Sequence, residues 1–273
     1  MIVPVVGNEN MLIQAAVYGG GVYLLLNLYA LLASNRLIFQ PQQPSYVHLP
    51  HEYKIVSGNG EKITAVFLEH PQAKQTILFS HGNAEDMGHM VEFLQQFLDL
   101  GYSLLMYDYC GYGTSEGKPS ERKAKQNIEA AYRWLVEEKE IDPQSIIVQG
   151  RSLGGGPSVW LAAHHKVGGL VLESTFVSTF RVKTAWPLLP WDKFNSLREI
   201  KRINCPVLVI HGRDDTVIPF WHGQKLYQAA PSEKMHLWID GARHNDYAYV
   251  AGARYFEAFE TFARLVSKAT ASR

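Results

Sequence analysis

A chain of 273 residues with 47% hydrophobic content is long enough for one large α/β domain with a substantial core, and no Pro/Ser/Gly-rich linker divides its body. The formal net charge is +0 and basic residues are scattered, which argues against a polyanion-binding surface, so nucleic acid is not expected as a partner. The two cysteines, Cys110 and Cys205, lie in apolar surroundings without Cys-x-x-Cys spacing; they suggest neither a disulfide framework nor a zinc site and read as core thiols.

The first element is the compositional outlier. From Asn10 to Asn35 the only ionisable side chains are tyrosines, and Met11 to Ala33 is mostly Leu, Ala, Val, Tyr and Gly. A helix over that stretch would be roughly 34 Å long, enough to cross the hydrocarbon core of a bilayer. Residues 1–36 are therefore expected to form a membrane anchor or membrane-associated helix, with Tyr18, Tyr29 and Arg36 at the interface. A cleaved signal peptide fits less well, because Glu9 stands where a positive leader belongs and no Lys or Arg does. The alternative is a buried helix capping a hydrophobic groove, which Gln14, Asn27 and Gly19-Gly20-Gly21 leave open. Arg36 on one flank against Glu9 on the other points the body to the cytosolic side by the positive-inside rule.

Residues 37–273 change character. Tyr53 to Val56 and Ile63 to Leu68 alternate around Ser57-Gly58-Asn59-Gly60, the pattern of an antiparallel hairpin. Short apolar runs then recur at wide spacing: Thr76 to Phe79, Ser103 to Tyr107, Ser145 to Val148, Gly169 to Leu172, Pro206 to Ile210 and Met235 to Ile239. Such runs suit strands buried on both faces. Between them, Met87, Met90, Val91, Leu94 and Leu98 repeat at helical spacing, as do Ala124, Ile128, Tyr132 and Leu135, and Val250 to Val266 makes a last amphipathic helix. The expected class is α/β: a mostly parallel sheet opened by an antiparallel hairpin, with helices on both faces. Residues 176–203, with Trp186-Pro-Leu-Leu-Pro-Trp191, interrupt the rhythm and are a small lid, or else an ordinary excursion helix packed on the sheet.

Chemistry enters at Val148-Gln-Gly-Arg-Ser-Leu-Gly-Gly-Gly156, where an apolar strand breaks into a Gly-x-Ser-x-Gly turn and then a helix. Gly150 and Gly154 leave room for the strained turn that lifts the Ser152 hydroxyl to the top of a sheet. Such a nucleophile needs a base, a carboxylate to hold the base in one tautomer, and donors for an oxyanion. The strand ending at Ile210 runs into His211-Gly-Arg-Asp-Asp215, and the strand ending at Ile239 into Asp240-Gly-Ala-Arg-His244, each placing a partner on a loop after a strand. Of the eleven histidines only His244 lies where the base is required. Of the adjacent acids Asp214 and Asp215 only one can turn inward. Glu173, ending the strand Leu170 to Leu172, is a rival acid. Oxyanion donors are expected from the turn Ser80-His-Gly-Asn-Ala-Glu-Asp86, through the Asn83 amide, and from the Leu153 amide after the nucleophile.

Taken together, His81-Gly-Asn-Ala, Tyr107-Asp-Tyr-Cys-Gly-Tyr-Gly-Thr-Ser-Glu-Gly117, Gly150-Arg-Ser-Leu-Gly-Gly155, Glu173-Ser-Thr-Phe176, His211-Gly-Arg-Asp-Asp215 and Gly241-Ala-Arg-His-Asn-Asp246 resemble the α/β-hydrolase-domain family. More narrowly, the chain resembles its N-terminally anchored branch, which includes the eukaryotic protein depalmitoylases and their bacterial relatives, over about residues 36 to 268. The resemblance implies the α/β-hydrolase fold, favours Asp215 over Asp214, and gives Ser152, Asp215 and His244 the nucleophile, acid and base positions. Two departures stand out. Relatives often carry arginine where this chain has Cys110, which removes a local ion pair, and the N-terminus lacks the cysteine cluster that palmitoylates the animal depalmitoylases.

The expected activity is a membrane-associated serine hydrolase cleaving a carboxylic ester or thioester through an acyl-serine, without metal or organic cofactor. Its substrate would be a small molecule or an acylated protein, with apolar lid residues Trp186, Leu188 and Trp191 suggesting acyl chains. A serine peptidase on the same scaffold, or a non-catalytic membrane adaptor, are the alternatives.

Overall fold

The computed structural model describes residues 8–58, 60–184 and 186–271. Residues 1–7 of the N-terminal segment, Asn59 of the hairpin turn and position 185 of the lid candidate lie outside the described residues. The chain divides into two compact units, Met1–Ile38 and Phe39–Arg273.

The first unit holds helix α1, Asn8–Ile38. Its large apolar side chains point outward all round the helix rather than along one stripe; Met11, Leu12, Val17, Leu24, Leu25 and Leu32 are all more than half exposed. The span Asn10–Ile38 has a mean hydropathy of 1.6 and its apolar window holds no buried residue, unlike a core helix. Among the described residues it is the one helix long and apolar enough to cross a membrane.

The second unit is an α/β fold built on eight strands. Strands β1 (Glu52–Val56) and β2 (Lys62–Leu68) form the antiparallel hairpin, with Ile55 opposite Ile63. Then follow β3 (Thr76–Ser80), helix α2 (Met87–Asp99), β4 (Ser103–Tyr107) and helix α3 (Glu121–Arg133), whose end widens into a π turn over Trp134–Glu138. Next come β5 (Ile146–Arg151), α4 (Gly155–His164), β6 (Gly169–Glu173) and the short α5 (Ser196–Glu199). The chain ends with β7 (Val207–Gly212), α6 (Trp221–Ala229), β8 (Lys234–Ile239), α7 (Tyr247–Ala251) and α8 (Ala253–Ala271).

The sheet order is β1-β2-β4-β3-β5-β6-β7-β8, antiparallel through β4 and parallel from β4 to β8. The five central strands are buried along almost their whole length, which is why they read as continuous apolar runs, whereas edge strand β8 is only half buried. On one face Met90, Leu94 and Phe97 of α2 meet Tyr255, Phe259 and Phe262 of α8 over Phe79, Ile147 and Val171 of the sheet. The rings of Phe97 and Phe259 lie 4.7 Å apart, edge to face.

Two expectations are corrected in detail. The amphipathic pattern from Val250 to Val266 is two helices, because Gly252 adopts φ +57° and ψ −134°, a positive-φ backbone open to glycine, with its N–H still on Ala248 O at 3.0 Å. Val250 accordingly falls outside the buried stripe. In the lid candidate, the described residues form single helical turns rather than a packed excursion helix. Asp192 Oδ1 fastens its base by accepting the N–H groups of Phe180 and Lys193 at 2.8 and 2.7 Å. Phe176, Val177 and Phe194 are buried there, while Trp186 and Leu188 are 76% and 63% exposed. Both cysteines are buried and reduced. At Cys110 the contact is neutral: its N–H donates to Asn127 Oδ1 at 2.9 Å, and Asn127 Nδ2 approaches its sulfur at 3.2 Å.

Candidate active site

Strand β5 leads straight into Ser152, which takes φ +51°, a left-handed conformation that a residue with a Cβ adopts only under constraint. Its surroundings impose it. A Cβ on Gly150 would come within 2.5 Å of Gly154 O, and one on Gly154 within 2.1 Å of Ser80 O, so the turn closes only with glycine at both places. The Thr175 hydroxyl at the end of β6 donates to Ser152 O at 2.7 Å and pins the turn from the other side.

Three strand ends bring the expected partners together. Ser152 Oγ stands 3.0 Å from His244 Nε2, and His244 Nδ1 stands 2.7 Å from Asp215 Oδ2. Asp214 is exposed, as the inward turn of only one acid requires. Asp215 Oδ1 accepts the Val217 and Ile218 N–H groups at 2.9 and 2.8 Å, so the carboxylate is oriented by its own loop. Burial alone would raise its pKa, but hydrogen bonds from His211 and His244, the His244 charge and the Ile218 amide hold it well below the usual carboxylate range. It therefore stays ionised at any pH near neutrality. His211, at the end of β7, lies with Nε2 3.4 Å from Asp215 Oδ2 and 2.9 Å from Ile218 O.

The turn after β3 lies against this group, with the Ser152 Cβ only 3.6 Å from where a Cβ on Gly82 would sit. The Gly82 N–H is engaged by Glu85 Oε1 at 2.6 Å, and Ala84 takes φ +58°. The Asn83 side chain is fixed by the Tyr112 hydroxyl at 2.6 Å and the Gln40 N–H at 3.0 Å. His81, beneath the turn, is pulled down by burial but raised overall by Asp108, whose Oδ1 is 3.4 Å away. The partners of Asn83 and His81 escape sequence reading because Tyr112, Gln40 and Asp108 are distant in the chain.

Glu173 does not compete for His244. It is fully buried and accepts from Tyr247 at 2.8 Å, Tyr255 at 2.5 Å and Gln149 at 2.9 Å. Burial raises its pKa and those donors, with the Arg151 charge, offset only part of the rise. A surface groove against β1 and α3, lined by Lys54, Val56, Gln126, Arg133 and Trp134, includes none of Ser152, Asp215 or His244 and contributes nothing to this arrangement. Among the described residues no cluster of His, Cys, Asp and Glu is arranged to hold a metal.

Chemically, a serine hydroxyl, a histidine and an ionised carboxylate in series can move a proton from oxygen to ring nitrogen while the carboxylate steadies the imidazolium.

Comparison with known proteins reaches the same scaffold. The family model described as serine aminopeptidase, S33, matches residues 71–195. The chain is 42% identical over 195 residues to the alpha/beta hydrolase domain-containing protein aho-3 of Caenorhabditis elegans, covering 70% of this chain and 58% of that protein. It is 40% identical over 199 residues to human alpha/beta hydrolase domain-containing protein 17B, covering 70% and 67%. The first curated relatives are thus matched over 58 to 60% of their length. Among solved structures, the Pyrococcus furiosus esterase Pf2001 superposes with a TM-score of 0.71 at 18% identity, over 82% of this chain and 98% of that one, a likeness of fold.

Proposed function

Because the chain belongs to the alpha/beta hydrolase domain-containing protein family, we propose that it is a membrane-associated serine hydrolase cleaving carboxylic esters or thioesters through an acyl-serine intermediate. The observation that carries this reading is the series Ser152 Oγ, His244 and Asp215 at 3.0 and 2.7 Å. In the first half, His244 Nε2 takes the Ser152 proton as Oγ attacks the acyl carbon. The oxyanion is met by the Asn83 and Leu153 amides, and Asp215 holds the imidazolium through Nδ1. The imidazolium then protonates the leaving alcohol or thiol, and the acyl group remains on Ser152. In the second half, His244 takes a proton from water, the hydroxyl oxygen attacks the acyl-serine, and the proton returns to Ser152 as the carboxylic acid departs.

The long exposed apolar helix Asn10–Ile38 supports membrane attachment, and Arg36 at its C-terminal end favours a cytosolic body. Together with the exposed Trp186 and Leu188, it also favours substrates with an acyl chain, whether small molecules or acylated proteins. No cofactor is required by this chemistry.

The test is a chain-length series of p-nitrophenyl esters and acyl thioesters with fluorophosphonate labelling. Wild type should turn over and label at Ser152, and Ser152→Ala should do neither; undiminished turnover by that variant would overturn the reading. The 273-residue chain should resist carbonate extraction from membranes, and replacing Leu24, Leu25 and Leu26 with aspartate should release it.

A peptidase reading is favoured by the description of the matching family model. Aminoacyl-arylamides cleaved faster than short esters would select it.

A further inference from the structure

Arg151 precedes the candidate nucleophile, and its guanidinium leaves the elbow in two directions. Nη1 donates to Glu85 Oε2 at 3.1 Å, and Nη2 donates to Asn245 Oδ1 at 3.1 Å. The other oxygen of Glu85 accepts the Gly82 N–H at 2.6 Å. Asn245 follows His244 directly in the chain. One fork rooted beside Ser152 therefore reaches the oxyanion turn through a single carboxylate, and the histidine loop through a single amide.

The arrangement answers a need of the sheet. Strand β5, which carries Ser152, is separated from β8, which leads into the His244 loop, by both β6 and β7. No backbone ladder joins the two loops directly, yet the Ser152–His244 distance must hold to a fraction of an ångström for proton transfer. The Arg151–Glu85 pair is mostly shielded, its side chains 15% and 18% exposed, and the guanidinium lies 5.9 Å over the Tyr247 ring. Screening by water is correspondingly weak, and the planar fork fixes direction as well as distance.

We propose that Arg151 is a positioning residue that sets the spacing of Ser152, the oxyanion turn and His244 through Glu85 and Asn245. This rests on the reading of Ser152 as nucleophile. Lysine cannot replace it fully, because an ammonium on a flexible stem lacks the two-pronged geometry that serves both acceptors.

The experiment uses the full chain and the variants Arg151→Met, Arg151→Lys, Glu85→Gln and the double variant Arg151→Met/Glu85→Gln. Active sites are counted by exhaustive fluorophosphonate titration, and kcat and KM for p-nitrophenyl butyrate are taken per titrated site. Arg151→Met is expected to lower kcat about 10²-fold with little change in KM, the scale of a small misplacement of reacting groups. Arg151→Lys should recover part of the loss, and the double variant should be no slower than Arg151→Met, since Arg151→Met already removes the link to Glu85 that Glu85→Gln weakens. Unchanged kcat per titrated site in Arg151→Met and Glu85→Gln would overturn the proposal. So would a loss confined to the number of titrated sites, which marks a role in folding alone, or additive effects in the double variant. If wild type itself neither titrates nor turns over, the Ser152 reading falls and takes the proposal with it; if wild type does both and only the Arg151 result fails, the nucleophile stands.

Discussion

Two buried carboxylates, Asp215 and Glu173, stand at the same end of adjacent strands, yet their surroundings shift them in opposite directions. Asp215 is met by two imidazoles and two backbone amides, groups that stabilise its charge, and its pKa is held low. Glu173 is met by two phenols and an amide, and its pKa is raised. Burial is common to both, so burial alone does not set the direction of the shift. What separates them is where the bonded groups lead: from Asp215 through His244 to a hydroxyl at the top of the sheet, and from Glu173 back into α7 and α8, where it ties the last helices to the core.

Neutralising each acid in turn should give two different losses. Asp215→Asn is expected to lower kcat about 10⁴-fold, the loss found when a histidine base is held in the wrong tautomer, equivalent to about 5 kcal/mol. Steady-state hydrolysis of a p-nitrophenyl ester by folded, monodisperse protein checks it, and a loss under tenfold would remove Asp215 from the role. Asp214→Asn, on the exposed neighbour, should leave kcat where it was.

Glu173→Ala is expected to act on the other axis. It strands the hydroxyls of Tyr247 and Tyr255 in a dry interior and leaves the Gln149 amide only its 3.2 Å bond to the Tyr255 hydroxyl, and unsatisfied buried donors cost about 1–3 kcal/mol each. Allowing for partial relaxation, unfolding in urea should report a loss on the order of 3 kcal/mol, with kcat per titrated site retained. A kcat collapse comparable to that of Asp215→Asn would mean the two carboxylates are not separable in this way.

The comparison also explains how much was legible in advance. Strand, elbow and loop signals are local: a buried run ending in Gly-x-Ser-x-Gly or His-Gly-x-x-Asp announces itself within ten residues, so the sheet and the meeting of Ser152, Asp215 and His244 could be anticipated. The fate of Glu173 could not, because Tyr247 and Tyr255 come from 74 and 82 residues further on. The same holds for the Arg151 fork, whose acceptors lie 66 and 94 residues away. The break between α7 and α8 was obscured for another reason: apolar residues keep a helical period on both sides of Gly252, and only its positive φ ends one helix and starts the next.

The smallest expected effect separates the carboxylates from a histidine near them. His222 is fully buried in α6, its Nδ1 accepting the Val177 N–H at 3.2 Å. Burial, with the charges of His211, Arg181 and Lys225 adding to it, lowers its pKa to about 3. The folded protein therefore keeps His222 neutral, while the unfolded chain binds a proton below about 6.5. Stability from this group is full above that pH and is lost as pH falls towards 3. Asp215, with its low folded pKa, is ionised in both states over most of that window and contributes no slope there. Glu173 acts in the opposite sense, because a raised folded pKa makes stability fall as pH rises through the interval between its unfolded and folded values. Urea unfolding of wild type and His222→Asn at a series of pH values between 6.5 and 4 isolates the histidine. The wild-type stability should drop relative to the variant by on the order of 1 kcal/mol per pH unit. Parallel profiles would mean that His222 is protonated in the folded state, and that acid loss of stability in this window must be sought among other groups.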